Sequence, residues 1–400
     1  MDKPITRRTF LTGTAAAGIG MLSGWQGLQR ACASSDDELR IGYLPITDAA
    51  PLLIAHALGY FTEERLKVGK PKRVRSWSTL LESFLTGKFN VTHMLLPMPI
   101  WMRYNNRSSA KVLAWDHTNG SALTVHGESG INGFEDLGGK QIAVPYWYSM
   151  HNILLQMGLK KVGITPVIQS HAAHLKSNET NLLLLPPPEM PLALSGKKID
   201  GYIVAEPFNA LGEMKIAAKI MRFTGDMWKN HPCCVIVMNE AVIQADPVFT
   251  QKVINAIVRA QLWITKNMKE AAMILSRDGE NNYLPVPKEV LFRAFTGYDP
   301  ADYGKGVTPQ AIRHPDWKIG RIGFQPYPYP SATRFIFNEM RHTRMEGNTN
   351  FLKKLDADTV IKDLVDDRFV KKAINEVGGP GKFSAIDLKH PWERQEIIDI

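Results

Sequence analysis

An α/β fold follows from three features of this 400-residue sequence. Short apolar runs alternate with segments of helical spacing over brief connections, as expected of strands whose faces are covered by helices. The alternation is laid down in two successive sets, and the length suffices for two lobes with sizeable cores. The hydrophobic fraction of 44% and charged fraction of 22% are those of an ordinary globular chain.

The first set opens with a strand over 39–44, a polar turn, and a helix over 49–58 stopped at Gly59. A strand over 72–74 leads to a helix over 78–86, then a strand over 91–96 and a helix over 98–104. Strands over 112–115 and 122–125 flank a turn at 116–120, and the whole predicts a largely parallel sheet. The second set begins at Phe134 with a short helix, the turn Gly138-Gly139 and a strand over 141–144. The loop 146–149 opens a helix over 152–162, and a strand over 182–185 is ended by Pro186, Pro187 and Pro188. A helix over 189–194, a strand over 201–205 and a helix over 207–213 follow. The chain returns through strands at 220–223 and 234–238 into helices over 248–266 and 269–275. Beyond Arg277 the pattern loosens into an aromatic, proline-rich loop at 314–330, with a last helical region over 331–340.

Residues 1–33 read as a removable export signal. Arg7-Arg8 precedes a weakly apolar stretch at 11–24, and Ala31-Cys32-Ala33 offers small residues to a peptidase. The stretch is too short and glycine-rich for a permanent membrane helix. Paired arginines point to the Tat route, and Arg30 sits awkwardly for lipid attachment at Cys32, so a soluble periplasmic protein is expected. Net charge is +9, and the chain stays cationic without its leader, which favours anionic small ligands or surfaces. No basic block interleaved with aromatics indicates nucleic acid. Beyond the leader the only cysteines are Cys233 and Cys234, whose adjacency disfavours a mutual disulfide; two buried, inert thiols are expected.

Several strings then occur in a telling order: GYLPITDAAPLLIAHALGYF from Gly42, Ser76-Trp77, LLPMPIW from Leu95, FEDLGGKQIAVP from Phe134, GKKIDGYIVAEPF from Gly196, and MWKNHP from Met227. Together they resemble the nitrate/sulfonate/bicarbonate (NitT/TauT) family of ABC-transporter substrate-binding proteins, most of all its nitrate- and bicarbonate-binding branch. The resemblance implies a two-lobed type II periplasmic binding protein, each lobe a mixed sheet flanked by helices, with the ligand cleft between lobes. It implies a hinge of two connecting strands near 118–125 and 223–234. The expected organisation is a signal at 1–33, first lobe at 36–125, second lobe at 126–232, return to the first lobe at 233–340, and a C-terminal extension at 341–400.

The resemblance also implies ligand contacts. Lys229 matches a lysine with which the family's nitrate binders touch their ligand, and Trp77 matches a ligand-touching tryptophan whose indole can both donate N–H and form an apolar wall. Ser149, His151 and Asn152 sit where a loop becomes a helix, whose free N–H groups attract anions, although Ser149 equally suits a cap. Sulfonate-binding relatives carry a similar Ser/His motif there, one residue longer. Thr47 opens the first helix; the neighbouring Asp48 is expected to be an N-cap, since a carboxylate repels an anion. Thr118 and Asn119 match a polar contact that is glutamine in nitrate binders, and Tyr146 replaces a histidine. Ala205 and Glu206 match a strand end facing the cleft; in the cleft Glu206 would suit a cation or amine, while a helix cap or an ion pair is its expected role.

The implied function is non-catalytic capture of a small anion for an ABC permease and its ATPase, with the Tat translocase as export partner. No cofactor and no metal site are expected. The aromatics Tyr146, Trp147 and Tyr148 also suit a heterocycle such as a thiamine pyrimidine precursor, and the same fold suits a ligand sensor. An exported enzyme lacks support, because the sequence offers neither a nucleotide fingerprint nor a nucleophile elbow. His171 and His174 have helical spacing but no nearby Glu or Cys, and read as surface histidines.

Overall fold

Strand Val91–Leu95 is buried along its whole length, and its two polar side chains are satisfied inside: Thr92 donates to the Gly42 carbonyl and His93 accepts from the Leu44 amide. The computed structural model describes residues 38–304, 311–383 and 387–400; the expected leader and Cys32 lie outside the described residues. Val91–Leu95 is central to a five-stranded sheet ordered Lys72–Arg73, Ile41–Tyr43, Val91–Leu95, Cys234–Asn239, Ala110–Trp115. A six-stranded sheet is ordered Thr165–Val167, Glu179–Leu184, Gln141–Val144, Gly201–Ala205, Ser121–His126, Ala218–Phe223. Among the described residues no helix is long and apolar enough to cross a membrane.

Neither sheet is as parallel as the sequence pattern suggests. Ser121–His126 runs antiparallel to both its neighbours, and so does Cys234–Asn239 in the other sheet. These are the strands by which the chain enters each sheet after crossing from the other one. They are buried almost throughout, so their apolar runs look the same as those of parallel strands.

The crossings are residues 116–120 and 224–233. A boundary at residue 125 therefore falls inside Ser121–His126, which belongs wholly to the six-stranded sheet. The short strand Thr118–Asn119 in the first crossing pairs with Ile322–Gly323, a strand with no counterpart in the sequence reading. The helix Lys288–Thr296, lost in the loosened pattern beyond Arg277, buries Val290, Leu291, Ala294 and Phe295 and packs on Phe208–Lys215 beside the six-stranded sheet. The segment 233–340 thus touches both lobes rather than the first alone.

Several helix starts are set by side chains expected from sequence rules. Ser76 accepts from the Thr79 amide to open Trp77–Leu85, Ser149 accepts from Asn152 to open Met150–Lys161, and Asp246 accepts from Phe249 to open Pro247–Lys266. The C-terminal extension forms Ala357–Leu364 and Arg368–Glu376, the latter packed along Pro247–Lys266. Asp363 accepts two 2.6 Å bonds from the Arg103 guanidinium, pinning the extension to the first lobe.

Candidate functional site

The two lobes meet where the turn Thr47–Ala49 faces the end of strand Gly201–Ala205. The Thr47 amide donates to the Glu206 carbonyl at 2.9 Å and its hydroxyl donates to the same oxygen at 3.1 Å. Behind this contact lies a fully buried set of polar side chains. Asp48 comes from the first lobe, Asp116 and His117 from the first crossing, Cys233 from the end of the second and Cys234 from the strand it enters. Ser121 and His151 close it from the second lobe: the hydroxyl and Nε2 are 2.9 Å apart, and each is 3.9 Å from the Cys233 sulfur.

Trp77 reaches this centre through His93. The indole stands edge-on to the imidazole at 5.6 Å, and the indole Nε1 is buried with no hydrogen-bond partner. His93 Nε2 accepts from the Leu44 amide at 3.0 Å, and Nδ1 lies 3.9 Å from Asp116. Burial holds His93 down at about 3, with His117 adding to the effect, so the ring is neutral at physiological pH.

The charges at the centre are mutually dependent. Burial pushes the Asp48 carboxyl up, and His117, with Nε2 2.8 Å from Oδ2, opposes it. Burial works against a charged His117, but the Asp48 carboxylate outweighs it and holds the imidazole well above its usual range. Burial likewise resists a Cys233 thiolate, yet Cys234, His151 and His117 together hold that thiol well below its usual range. Burial and the neighbouring Cys233 push Cys234 up.

The residues expected from the resemblance do not all converge. Thr47, Trp77 and His151 border the buried centre. Ser149 caps its helix, donating to the Tyr146 carbonyl at 2.7 Å and accepting from Asn152, as the alternative reading of that position had it. Thr118 and Asn119 brace the crossing: the Asn119 amide donates to the His231 carbonyl, and its side chain donates to Gly320 and Asn230. Ala205 pairs with Ser121 within the sheet. Glu206 is no open carboxylate; it is paired with Arg321 at 2.6 Å and accepts from the Ala210 amide at 3.0 Å. Lys229 lies half-buried in the second crossing, its amide donating to the Ile397 carbonyl, and no link joins it to Trp77. His231 is turned inward, with Nε2 2.8 Å from the Thr224 hydroxyl.

The aromatic run is largely consumed by packing. Trp147 Nε1 donates to Glu346 at 3.0 Å and Tyr148 stacks on Trp101 at 5.2 Å, which leaves half-buried Tyr146 as the remaining wall.

Sequence reasoning missed His93, Asp116, His117 and the two cysteines as a constellation. A signal was present: Cys233-Cys234 close the expected hinge at 223–234 and Asp116-His117 open the turn that leads into the one expected at 118–125, so the lobe geometry brings distant pairs together.

The sequence model of the NMT1-like family matches residues 33–276. The nitrate/nitrite binding protein NrtA of Nostoc sp. (strain PCC 7120) is 26% identical over 369 residues, covering 85% of this chain and 77% of that protein. The bicarbonate transport ATP-binding protein CmpC of Synechocystis sp. is 29% identical over 238 residues, which are 56% of this chain and 34% of CmpC; the match spans about a third of that relative. The crystal structure of the periplasmic nitrate-binding protein NrtA from Synechocystis PCC 6803 superposes with a TM-score of 0.71 at 17% identity, covering 88% of this chain and 96% of that one. At that identity the structural likeness is one of fold, the two-lobed periplasmic binding fold. With the family match spanning more than half of its residues, the chain belongs to the NMT1-like family, in keeping with the nitrate, sulfonate and bicarbonate substrate-binding proteins that its sequence strings resemble.

Proposed function

We propose that this chain is the periplasmic solute-binding receptor of an ABC importer and captures a small anion of the nitrate, bicarbonate or sulfonate type by lobe closure. The observation that carries this reading is the pair of crossings at 116–120 and 224–233, which hinge two α/β lobes onto a buried polar interface. Burying an anion between lobes lets closure be driven by the contacts that only the closed state makes. The unpartnered Trp77 Nε1, at the start of helix Trp77–Leu85, is a donor of the kind such a ligand needs. Lys229 supplies a cation in the second crossing, its ammonium making no hydrogen bond or ion pair among the described residues. The likeness of CmpC supports an ATPase-driven permease as the partner, and the arginine pair of the leader supports export by the Tat translocase.

The carboxylates near the interface are compatible with this reading, because Glu206 is neutralised by Arg321 and Asp48 lies against His117. Packing of Trp147 and Tyr148 into other contacts disfavours an aromatic heterocycle. The test is a thermal-shift and calorimetric screen of nitrate, nitrite, bicarbonate with and without calcium, taurine, alkanesulfonates and pyrimidines. Stabilisation by one anion class is expected, since a ligand that binds only the folded state raises its stability. Lys229→Ala should then weaken that anion about tenfold, roughly 1.4 kcal/mol. Silence from every anion, or a response to pyrimidines alone, overturns the reading.

A further inference from the structure

The geometry points to a second kind of ligand at the hinge. We propose that Asp48, His117, Cys233 and Cys234 form a binding site for one thiophilic transition-metal ion of the zinc class. One carboxylate oxygen, one imidazole nitrogen and the two sulfurs all lie within 4.8 Å of one another. A tetrahedral zinc ion, about 2.3 Å from sulfur and about 2.1 Å from nitrogen or oxygen, separates its donors by about 3.4–3.8 Å. Small side-chain adjustments therefore bring the four atoms onto a single ion.

Three further observations favour a metal over a merely packed cluster. First, all four side chains are fully buried, yet both Asp48 oxygens and both His117 nitrogens lack a hydrogen-bond partner. The 2.8 Å approach of His117 Nε2 to Asp48 Oδ2 is therefore a poorly directed one, and an orphaned buried polar atom costs about 1–3 kcal/mol. A shared cation would satisfy lone pairs that presently converge on one another. Second, the donors come from three separated segments, and Cys233 and Cys234 remain free rather than bridged. Inert thiols, the expectation from sequence, would not need a histidine and an aspartate as neighbours. Third, an outer layer is in place: Ser121 Oγ and His151 Nε2 lie 3.9 Å from the Cys233 sulfur, where they would donate to a bound thiolate.

The donor set also selects the ion. Two sulfurs with one nitrogen and one carboxylate oxygen suit zinc and exclude calcium or magnesium, which demand oxygen ligands. On binding, the sulfurs ligate as thiolates and His117 as a neutral imidazole, and whatever protons the two sulfurs and the coordinating imidazole nitrogen still hold pass to solvent. Because Asp48 belongs to the first lobe, His117 and Cys233 to the two crossings and Cys234 to the strand that the second crossing enters, the ion would clamp the hinge. Its entry requires the lobes to open.

The test uses the full chain kept reduced and stripped by chelator, with no anion added. Zinc is titrated against a chromophoric chelator, and cobalt(II) is titrated as a spectroscopic probe. Expected are one zinc per chain and a cobalt adduct with thiolate charge-transfer bands and the intense visible bands of tetrahedral cobalt. The Cys233→Ser/Cys234→Ser double variant should lose about a hundredfold in zinc affinity, and His117→Gln about tenfold or more. Absence of stoichiometric zinc, or a cobalt adduct without thiolate bands, overturns the site, and this readout on the unaltered chain decides even if the variants fail to fold. Zinc affinity unchanged in a folded double variant also overturns it. Nitrate titration is run separately, so a metal response without an anion response sinks the anion reading alone, and the converse sinks only the metal site.

Discussion

Thr47 and Glu206 are joined twice across the lobes, the Thr47 amide and hydroxyl both donating to the single Glu206 carbonyl oxygen. A latch of this kind exists only when the lobes are closed. Thr47→Val keeps the side-chain shape and the amide bond but removes the hydroxyl. Net loss of one hydrogen bond is about 0.5–1.5 kcal/mol, so anion affinity should fall by roughly two- to tenfold. The loss should appear in the dissociation rate rather than the association rate, because encounter precedes closure. Stopped-flow kinetics with the responding anion measures both, and a purely slower association would contradict the latch.

Arg321 is fully buried and holds both Glu206 and Glu213. Arg321→Met leaves the Glu206 carboxylate in the interior without its cation, which should cost about 3–5 kcal/mol in urea denaturation. Adding Glu206→Gln removes the stranded charge and should recover part of that loss. Failure of the second change to restore any stability would show that the pair does not act as a unit.

How far the sequence reveals this molecule differs between levels. Strands such as Gln141–Val144 and Gly201–Ala205 were legible to the residue, because their apolar runs end at turn-forming glycines or polar residues. The helices Lys288–Thr296 and Ala357–Leu364 were passed over although their apolar residues fall at helical spacing, because each is only about two turns long and stands among irregular segments, where so short a pattern is weak. At the interface, the cap role of Ser149 and the ion pair of Glu206 were both readable as alternatives from position alone. The convergence of Asp48 with His117 and Cys233 was not, because contacts between residues separated by a whole lobe leave no local pattern. Asp48 read as a helix cap from its position, yet its side chain accepts no capping bond and faces His117 instead.

Trp77 offers a way to separate binding from packing. Its ring is buried against His93 while its N–H has no protein partner. Trp77→Phe retains an aromatic wall while removing the donor and some ring volume. Anion affinity should fall by about threefold to tenfold, the value of one hydrogen bond to a charged group partly offset by water. Because the N–H contributes no bond within the protein, unfolding free energy without ligand should change far less than it would for Trp77→Ala, which also opens a cavity. Unaltered anion binding by calorimetry would remove Trp77 from the site.

Asp363 gives stability an acid limit. Hydrogen bonds from Arg103 hold its carboxyl down at about 2, burial opposing them and Tyr104 assisting. A carboxylate depressed in the folded state contributes stability above its unfolded value, near 3.9, and loses it as pH falls through the folded value. At pH 7 Asp363→Asn should therefore destabilise the chain, by about 1 kcal/mol once solvent screening of this partly exposed group is allowed for. Between about pH 4 and pH 2 the difference from the unaltered chain should shrink towards zero. Denaturation series at pH 7, 4 and 2.5 check the sign, and a gap that widens on acidification would refute the assignment.

Glu396 ties the last residues to the second crossing. Its carboxylate accepts from Trp228 Nε1 at 2.7 Å, from the Ser331 hydroxyl at 2.7 Å and from both arms of Arg394. Beside it, Ile398 bridges to Trp228 and the Ile397 carbonyl accepts from the Lys229 amide. The tail is therefore a strap over the very segment that must bend when the lobes part. Glu396→Ala strands the Trp228 N–H and deprives Arg394 of its carboxylate, leaving it the Asn230 carbonyl, at a cost of about 1.5–3 kcal/mol. Loosening the strap should raise amide hydrogen exchange at 227–231 and 396–399 ahead of the sheet strands, because local opening draws on the least-held contacts first. Exchange that rises equally in Val91–Leu95 would mean that Glu396 supports the whole fold and not the strap in particular.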